Sequence, residues 1–192
     1  MVTMATPDLW LSQDRVVTVK DLENMPEDEF RYELDDGMLI VSPAPSHRHQ
    51  LAATRLAVIL TAACPGDLVV LGAAGVNISR FQHRVPDVAV VRADSLNTYY
   101  SEQPPLLAVE IASPRTRLYD RSRKKDVYEG FGIPAYWIVE PDADRARLIA
   151  FELKEGKYQT VADVTGSDEF RATSPFPVAI RPAVLTRTGP LT

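Results

Sequence analysis

Downstream of Gly66 the chain is punctuated by short runs of Val, Ile and Leu at 68–71, 76–78, 87–91 and 106–112, several of them apolar at successive rather than alternate positions. A strand with two apolar faces needs cover on both, so such runs belong in the middle of a sheet with helices on either side. Three further runs, 135–139, 145–153 and 157–161, extend the set, and the last two read as a hairpin turning at Glu155-Gly156. Upstream, YELDDGMLIVS at 32–42 reads as two short strands around an Asp36-Gly37 turn. Ser46 can cap a helix whose apolar Leu51, Leu56, Ile59 and Leu60 recur at helical spacing until Pro65-Gly66 stop it. A second, polar helix is expected from Tyr119 to Phe131, closed by Gly132 with Pro134 beyond. Thr18 followed by Lys20, Asp21 and Leu22 predicts a capped helical turn, and Pro26 a second short turn running through Phe30. The expected order is α-β-β-α-β-β-β-β-α-β-β-β, an α/β fold with a mixed central β-sheet flanked by helices.

A chain of 192 residues, 45% hydrophobic and free of repeats or Gly/Ser linkers, suits one domain over 1–192, with a core at about 17–162 and peripheral ends. Twenty-one Lys and Arg against 26 Asp and Glu give a net charge of −5. That balance excludes a protein that coats nucleic acid by neutralising many phosphates, but leaves room for a local basic groove. The single Cys64 rules out an intramolecular disulfide and a multi-cysteine zinc cage. With no recognisable secretory leader, a reducing, cytoplasmic location is expected. The longest apolar stretch, 56–64, is far short of the ~20 residues of a membrane span.

Two acids stand out because they lie in apolar strands, where an unpaired carboxylate costs several kcal/mol. Asp87 opens VAVV after Pro86, and Glu110 sits inside LLAVEIA. Alone, each reads as well as an ion pair or a strand-end cap as it does as a functional acid. Together, converging from adjacent strands, they would form an oxygen-rich site suited to a hard cation such as Mg²⁺. In the following helix Asp120, Lys124 and Tyr128 recur every four residues and so share a face, which could carry Lys124 to the carboxylates or simply be solvated.

These residues amount to a resemblance. Pro86-Asp87, Glu110 in VEIASP and Lys124 in DRSRKKDVY resemble the PD-(D/E)XK nuclease superfamily. More narrowly, YELDDGMLIVSPAPSHRHQ, RVPDVAVV, VEIASPRT and GIPAYWIVEP resemble the Uma-two family of endonucleases over residues 30–141. The resemblance implies a restriction-endonuclease-like core in which Asp87 and Glu110 bind the metal, with the main-chain carbonyl of Ile111 as a further ligand and Glu33 as a supporting acid. The usual lysine position, two after the glutamate, holds Ala112 here, and the Uma-two pattern moves that lysine to the next helix, to Lys124 or its neighbour Lys125. His49 and Gln50 match the family's helix block, and Asp120 and Tyr128 share the Lys124 face. Arg115 replaces a commoner small polar residue, and with Arg117, Arg121, Arg123, Lys124 and Lys125 it places six cations within eleven residues. A positive patch beside the metal site is expected from them, with Arg115 and Arg121 on substrate phosphate.

The implied activity is hydrolysis of DNA phosphodiesters with Mg²⁺, or alternatively Mn²⁺, although nothing in the sequence separates DNA from RNA. The competing reading is a non-catalytic nucleic-acid-binding or assembly module that keeps the fold. A homodimer is expected, with the 136–139 strand and the C-terminal hairpin as its edge. A Ser or Cys hydrolase has no support, because G-x-S-x-G is absent and no histidine adjoins Cys64.

Overall fold

The computed structural model describes residues 16–25, 28, 30–97, 100–114, 116–142 and 145–189. Among the described residues twelve strands, β1 (Arg31–Asp35), β2 (Met38–Ser42), β3 (Leu68–Gly72), β4 (Val76–Ser79), β5 (Gln82–Arg84), β6 (Val88–Arg92), β7 (Leu107–Ile111), β8 (Ala135–Glu140), β9 (Arg147–Lys154), β10 (Lys157–Thr165), β11 (Phe170–Ala172) and β12 (Val178–Ile180), form three sheets. The main sheet has the order β10-β9-β8-β7-β6-β3, with β7 and β8 parallel and every other pair antiparallel. A four-stranded antiparallel sheet, β2-β1-β5-β4, and the β11-β12 hairpin accompany it. The mixed α/β architecture is as expected, but strands 31–42 and 76–84 form their own sheet.

Local chemistry explains the turns. Asp36 and Gly37, both at positive φ (50° and 81°), join β1 to β2 in a two-residue loop, the geometry that matches strand twist. Helix α1 (Val19–Leu22) carries a Thr18–Asp21 capping box, in which Asp21 accepts from the Thr18 backbone at 2.9 Å. Helix α2 (His47–Ala63) is capped by Ser46, which accepts from the His49 backbone N–H, and buries Ala52, Leu56 and Leu60. The third helical segment begins two residues before Tyr119: α3 (Arg117–Tyr119), a π-helical turn (Asp120–Lys124) and α4 (Lys125–Phe131) run on continuously. Gly132, at φ 85°, closes it with a bond to the Tyr128 carbonyl.

Period-2 alternation splits the main sheet between two cores. Leu107, Val109 and Ile111 join Trp137 and Val139 against α2, whereas Ala108 and Ala112 join Tyr136 and Ile138 against Tyr128 of α4. Glu110 therefore points toward α4.

Two expectations are corrected. The C-terminal stretch is no peripheral tail: Phe176, Ile180 of β12 and Leu185 of α5 (Pro182–Thr186) are buried in the α2-side core. Arg55 of α2 bonds the Val184 carbonyl at 3.1 Å and also the Gly189 carbonyl, which fastens this segment. Nor can residues 136–139 be a dimer edge, because β8 lies inside the sheet with its ladder groups taken by β7 and β9. The turn expected from Pro26 falls partly on residues 26, 27 and 29, outside the described residues. Among the described residues, no helix is long and apolar enough to cross a membrane.

Candidate active site

Antiparallel pairing of β6 with β7 sets Val88 opposite Val109, so one step further along the register brings Asp87 beside Glu110. The Asp87 carboxylate accepts from the Ile111 backbone N–H at 2.7 Å, which ties the end of one strand to the other. Its other partners are Arg31 of β1, at 2.7 Å, and His49 Nε2 in the first turn of α2, at 3.1 Å. Glu110 accepts from Tyr128 Oη at 2.7 Å and from Lys124 Nζ at 2.9 Å. Lys124 also lies 3.4 Å from Glu33, whose carboxylate accepts from the Val85 backbone N–H at 2.9 Å. The π-helical turn aims both Asp120 and Lys124 inward, and both are 3% exposed, so they are not the solvated surface pair their spacing also allowed.

These groups line a cavity of about 370 Å³ where the four-stranded sheet meets the end of β7 and the start of the third helical segment. A larger cavity of about 500 Å³, lined by Met25, Asp28, Tyr32, His83 and Tyr100 among others, lacks any such convergence of buried acids on a cation.

The electrostatics follow from burial among like charges. Burial, with the Asp87, Asp120 and Glu33 charges, pushes the Glu110 carboxyl up to about 8 against the pull of Lys124. Burial also works to raise Asp87, but the His49 and Arg31 contacts and the Ile111 N–H outweigh it and hold it at about 2. Lys124, although buried, is held above the ordinary lysine range by Glu110, Glu33, Asp120 and Asp87, and so stays charged. Glu33 is lowered, because Lys124, the Val85 N–H and Arg31 outweigh its burial.

Four acids, Asp87, Glu110, Glu33 and Asp120, thus share the cavity with Arg31 and Lys124, and the upward push on Glu110 and Asp120 marks a crowding of acidic groups that a divalent ion would relieve. Among the described residues, no group of three or more His, Cys, Asp or Glu side chains is arranged to hold a metal ion. Glu33, expected to support the metal, is turned to Lys124 and the Val85 N–H instead. The donor set fits a hard ion held by two carboxylates with water completing its shell. A carboxylate oxygen has two acceptor directions, so the bonds above leave one on Asp87 Oδ1 and one on each Glu110 oxygen.

The remaining expected residues divide clearly. Gln50 is exposed and does not line the cavity. Lys125 lies over the Phe151 ring, 4.7 Å from its centroid, and Lys124 is the one of the two that lines the cavity. Among the described residues the expected positive patch does not form: Arg117 and Arg121 pair with Glu140, Arg117 also with Asp142, and Arg123 with Asp35 and Asp36. Acids at the β8 end and the β1–β2 turn face these arginines, so Arg121 is spent on Glu140 rather than on the cavity. Arg115 lies outside the described residues. Arg31 was missed from the sequence, although its position two before Glu33 on one strand put both on the same face.

A mixed sheet with helices on both sides and a polar cleft at the ends of its inner strands is the architecture of a restriction-endonuclease-like fold. Among solved structures it is shared by a crystal structure from Anabaena variabilis ATCC 29413 described as a "putative nuclease belonging to DUF820", with TM-score 0.66 and 14% identity over 83% of this chain and 89% of that one. The sequence model of the Uma2 family, described as "Putative restriction endonuclease", matches residues 19–186, and the chain belongs to that family. No curated protein matches the sequence.

Proposed function

We propose that the protein is a metal-dependent endonuclease that hydrolyses phosphodiester bonds in DNA. The observation that carries this reading is the charged Lys124 ammonium, 4% exposed, held between Glu110 and Glu33 beside Asp87. A buried cation among several acids does little for stability, since an apolar replacement is often as good. It does suit a site where charge must be stabilised away from water.

Asp87 and Glu110 would hold Mg²⁺, or Mn²⁺ in its place, with the Ile111 carbonyl as a further donor. The bound ion supplies Lewis-acid polarisation of the phosphate and a more acidic bound water. Lys124 places a fixed positive charge and an N–H donor at the cavity wall, where charge develops on the phosphate oxygens or on the attacking water. Tyr128 and the Val85 N–H orient Glu110 and Glu33, so that Lys124 is held from two sides. His49 and Arg31 do the same for Asp87.

The test is cleavage of supercoiled plasmid and linear duplex in Mg²⁺ or Mn²⁺, with single-stranded RNA as a parallel substrate. Asp87→Asn and Glu110→Gln each abolish cleavage and keep the wild-type circular dichroism spectrum. Wild-type rates in both variants would overturn the site, and cleavage confined to RNA would overturn the substrate.

A further inference from the structure

A phosphodiester carries a full negative charge, and a site for it needs a cation with donors to spare. Nearly every cation around the cavity is already committed. Lys124 is held by two carboxylates, which leaves one of its three N–H donors, and its side chain is almost sealed from solvent. Arg117, Arg121 and Arg123 are bound to acids and do not line the cavity.

Arg31 is also paired with an acid, Asp87, but it lines the cavity, is not sealed from solvent and keeps donors to spare. Its side chain, 32% exposed, lines the cavity from β1. A single nitrogen makes its bonds: NH1 donates to Asp87 Oδ1 at 2.7 Å and reaches the Val85 carbonyl at 3.4 Å. NH2 and Nε make no hydrogen bond among the described residues. An arginine pinned at one corner has its guanidinium plane fixed while the opposite donors stay open, so little rotamer entropy remains to be lost when an oxyanion binds.

We infer that Arg31 is the phosphate-gripping residue of this site, aimed by Asp87, and that it contacts a non-bridging oxygen of the bound nucleic-acid strand. This rests on the nuclease reading above and extends it to the substrate's contact. Asp87 thereby has a second task, as the acid that orients the arginine.

The experiment is fluorescence anisotropy of a labelled 20-base-pair duplex with the full chain in EDTA, across a series of salt concentrations. Wild type, Arg31→Gln, Arg31→Lys and the distant control Lys157→Gln are compared, each with a thermal melt. Arg31→Gln is expected to weaken binding about tenfold and to lower the slope of log affinity against log salt by about 0.9, the loss of one phosphate contact. Arg31→Lys keeps the slope and recovers part of the affinity, since it keeps the charge and loses the fork. Lys157→Gln matches wild type. Wild-type affinity and slope in Arg31→Gln overturn the inference, as does weaker binding with an unchanged slope, which marks a purely structural role. A wild-type protein that binds neither the duplex nor a matching RNA, in EDTA or in Mn²⁺, overturns the nuclease reading itself, and the inference with it.

Discussion

At His83 burial decides the charge. The side chain is 2% exposed, its Nδ1 lies 2.6 Å from Asn77 Oδ1, and burial, helped by the Arg84 charge, lowers its pKa from 6.5 to about 4. An unfolded imidazole takes up a proton below pH 6.5, whereas the folded one does so only below about 4. Unfolding therefore binds a proton between those values, so stability is full above pH 6.5 and falls as pH drops through that window, by about 3 kcal/mol. Urea denaturation of wild type and His83→Gln at pH 7 and pH 4.5 checks this: the variant loses less on acidification, and equal losses would contradict the assignment. At this same scale the two acids were legible, since a carboxylate inside LLAVEIA or before VAVV demands a partner whatever the fold. Arg31 was not, because an arginine opening a strand is unremarkable until its partner is known. Nor could spacing choose between Lys124 and Lys125, which depended on how the helix winds.

The helical segment that carries Lys124 is clamped to its neighbours at Asp35. Its carboxylate accepts from Arg123 at 2.7 Å, Tyr119 at 2.9 Å and Gln82 at 3.1 Å and forms an ion pair with Arg84 at 2.8 Å, and so joins β1 and β5 to the segment that carries Lys124. Burial acts to raise Asp35, but the bonds from Arg123, Gln82 and Tyr119 prevail and keep it well below the usual carboxylate range. Removing the acid leaves Arg84, fully buried, without its counter-ion. Asp35→Ala is expected to cost about 3 kcal/mol, and Arg123→Gln, a half-exposed end of the clamp, about 1 kcal/mol or less. Equal shifts of the two urea midpoints would show that the clamp does not depend on Asp35. Elements of strong apolar pattern, α2 and β6 to β9, were legible to within a few residues. β5 was not, since Gln82-His83-Arg84 has no apolar residue and is buried only through its neighbours' ladders. The π-helical turn had no signal either, because Asp120 to Lys124 reads as ordinary helix and only tertiary contacts set the extra residue.

Across the whole molecule the net charge is −5, and among the described residues the arginines Arg121 and Arg123 beside the cleft face acids while several acids gather around one lysine and one arginine. Such a surface resists indiscriminate phosphate binding and leaves engagement to the cavity, which predicts weak, salt-sensitive association. The C-terminal segment completes the core beneath the site, against α2, whose first turn supplies His49. That contribution was hidden in the sequence because Pro and Thr at 175–192 look like a loose end, while Phe176, Ile180 and Leu185 are too widely spaced to announce a core. The central claim is that Asp87 and Glu110 make one cation site with Lys124 at its wall. A crystal of the protein soaked in millimolar Mn²⁺ tests it most directly, read by anomalous scattering. An anomalous peak within coordination distance of both carboxylates is the predicted result; no peak there, or one bound only elsewhere, would contradict the account.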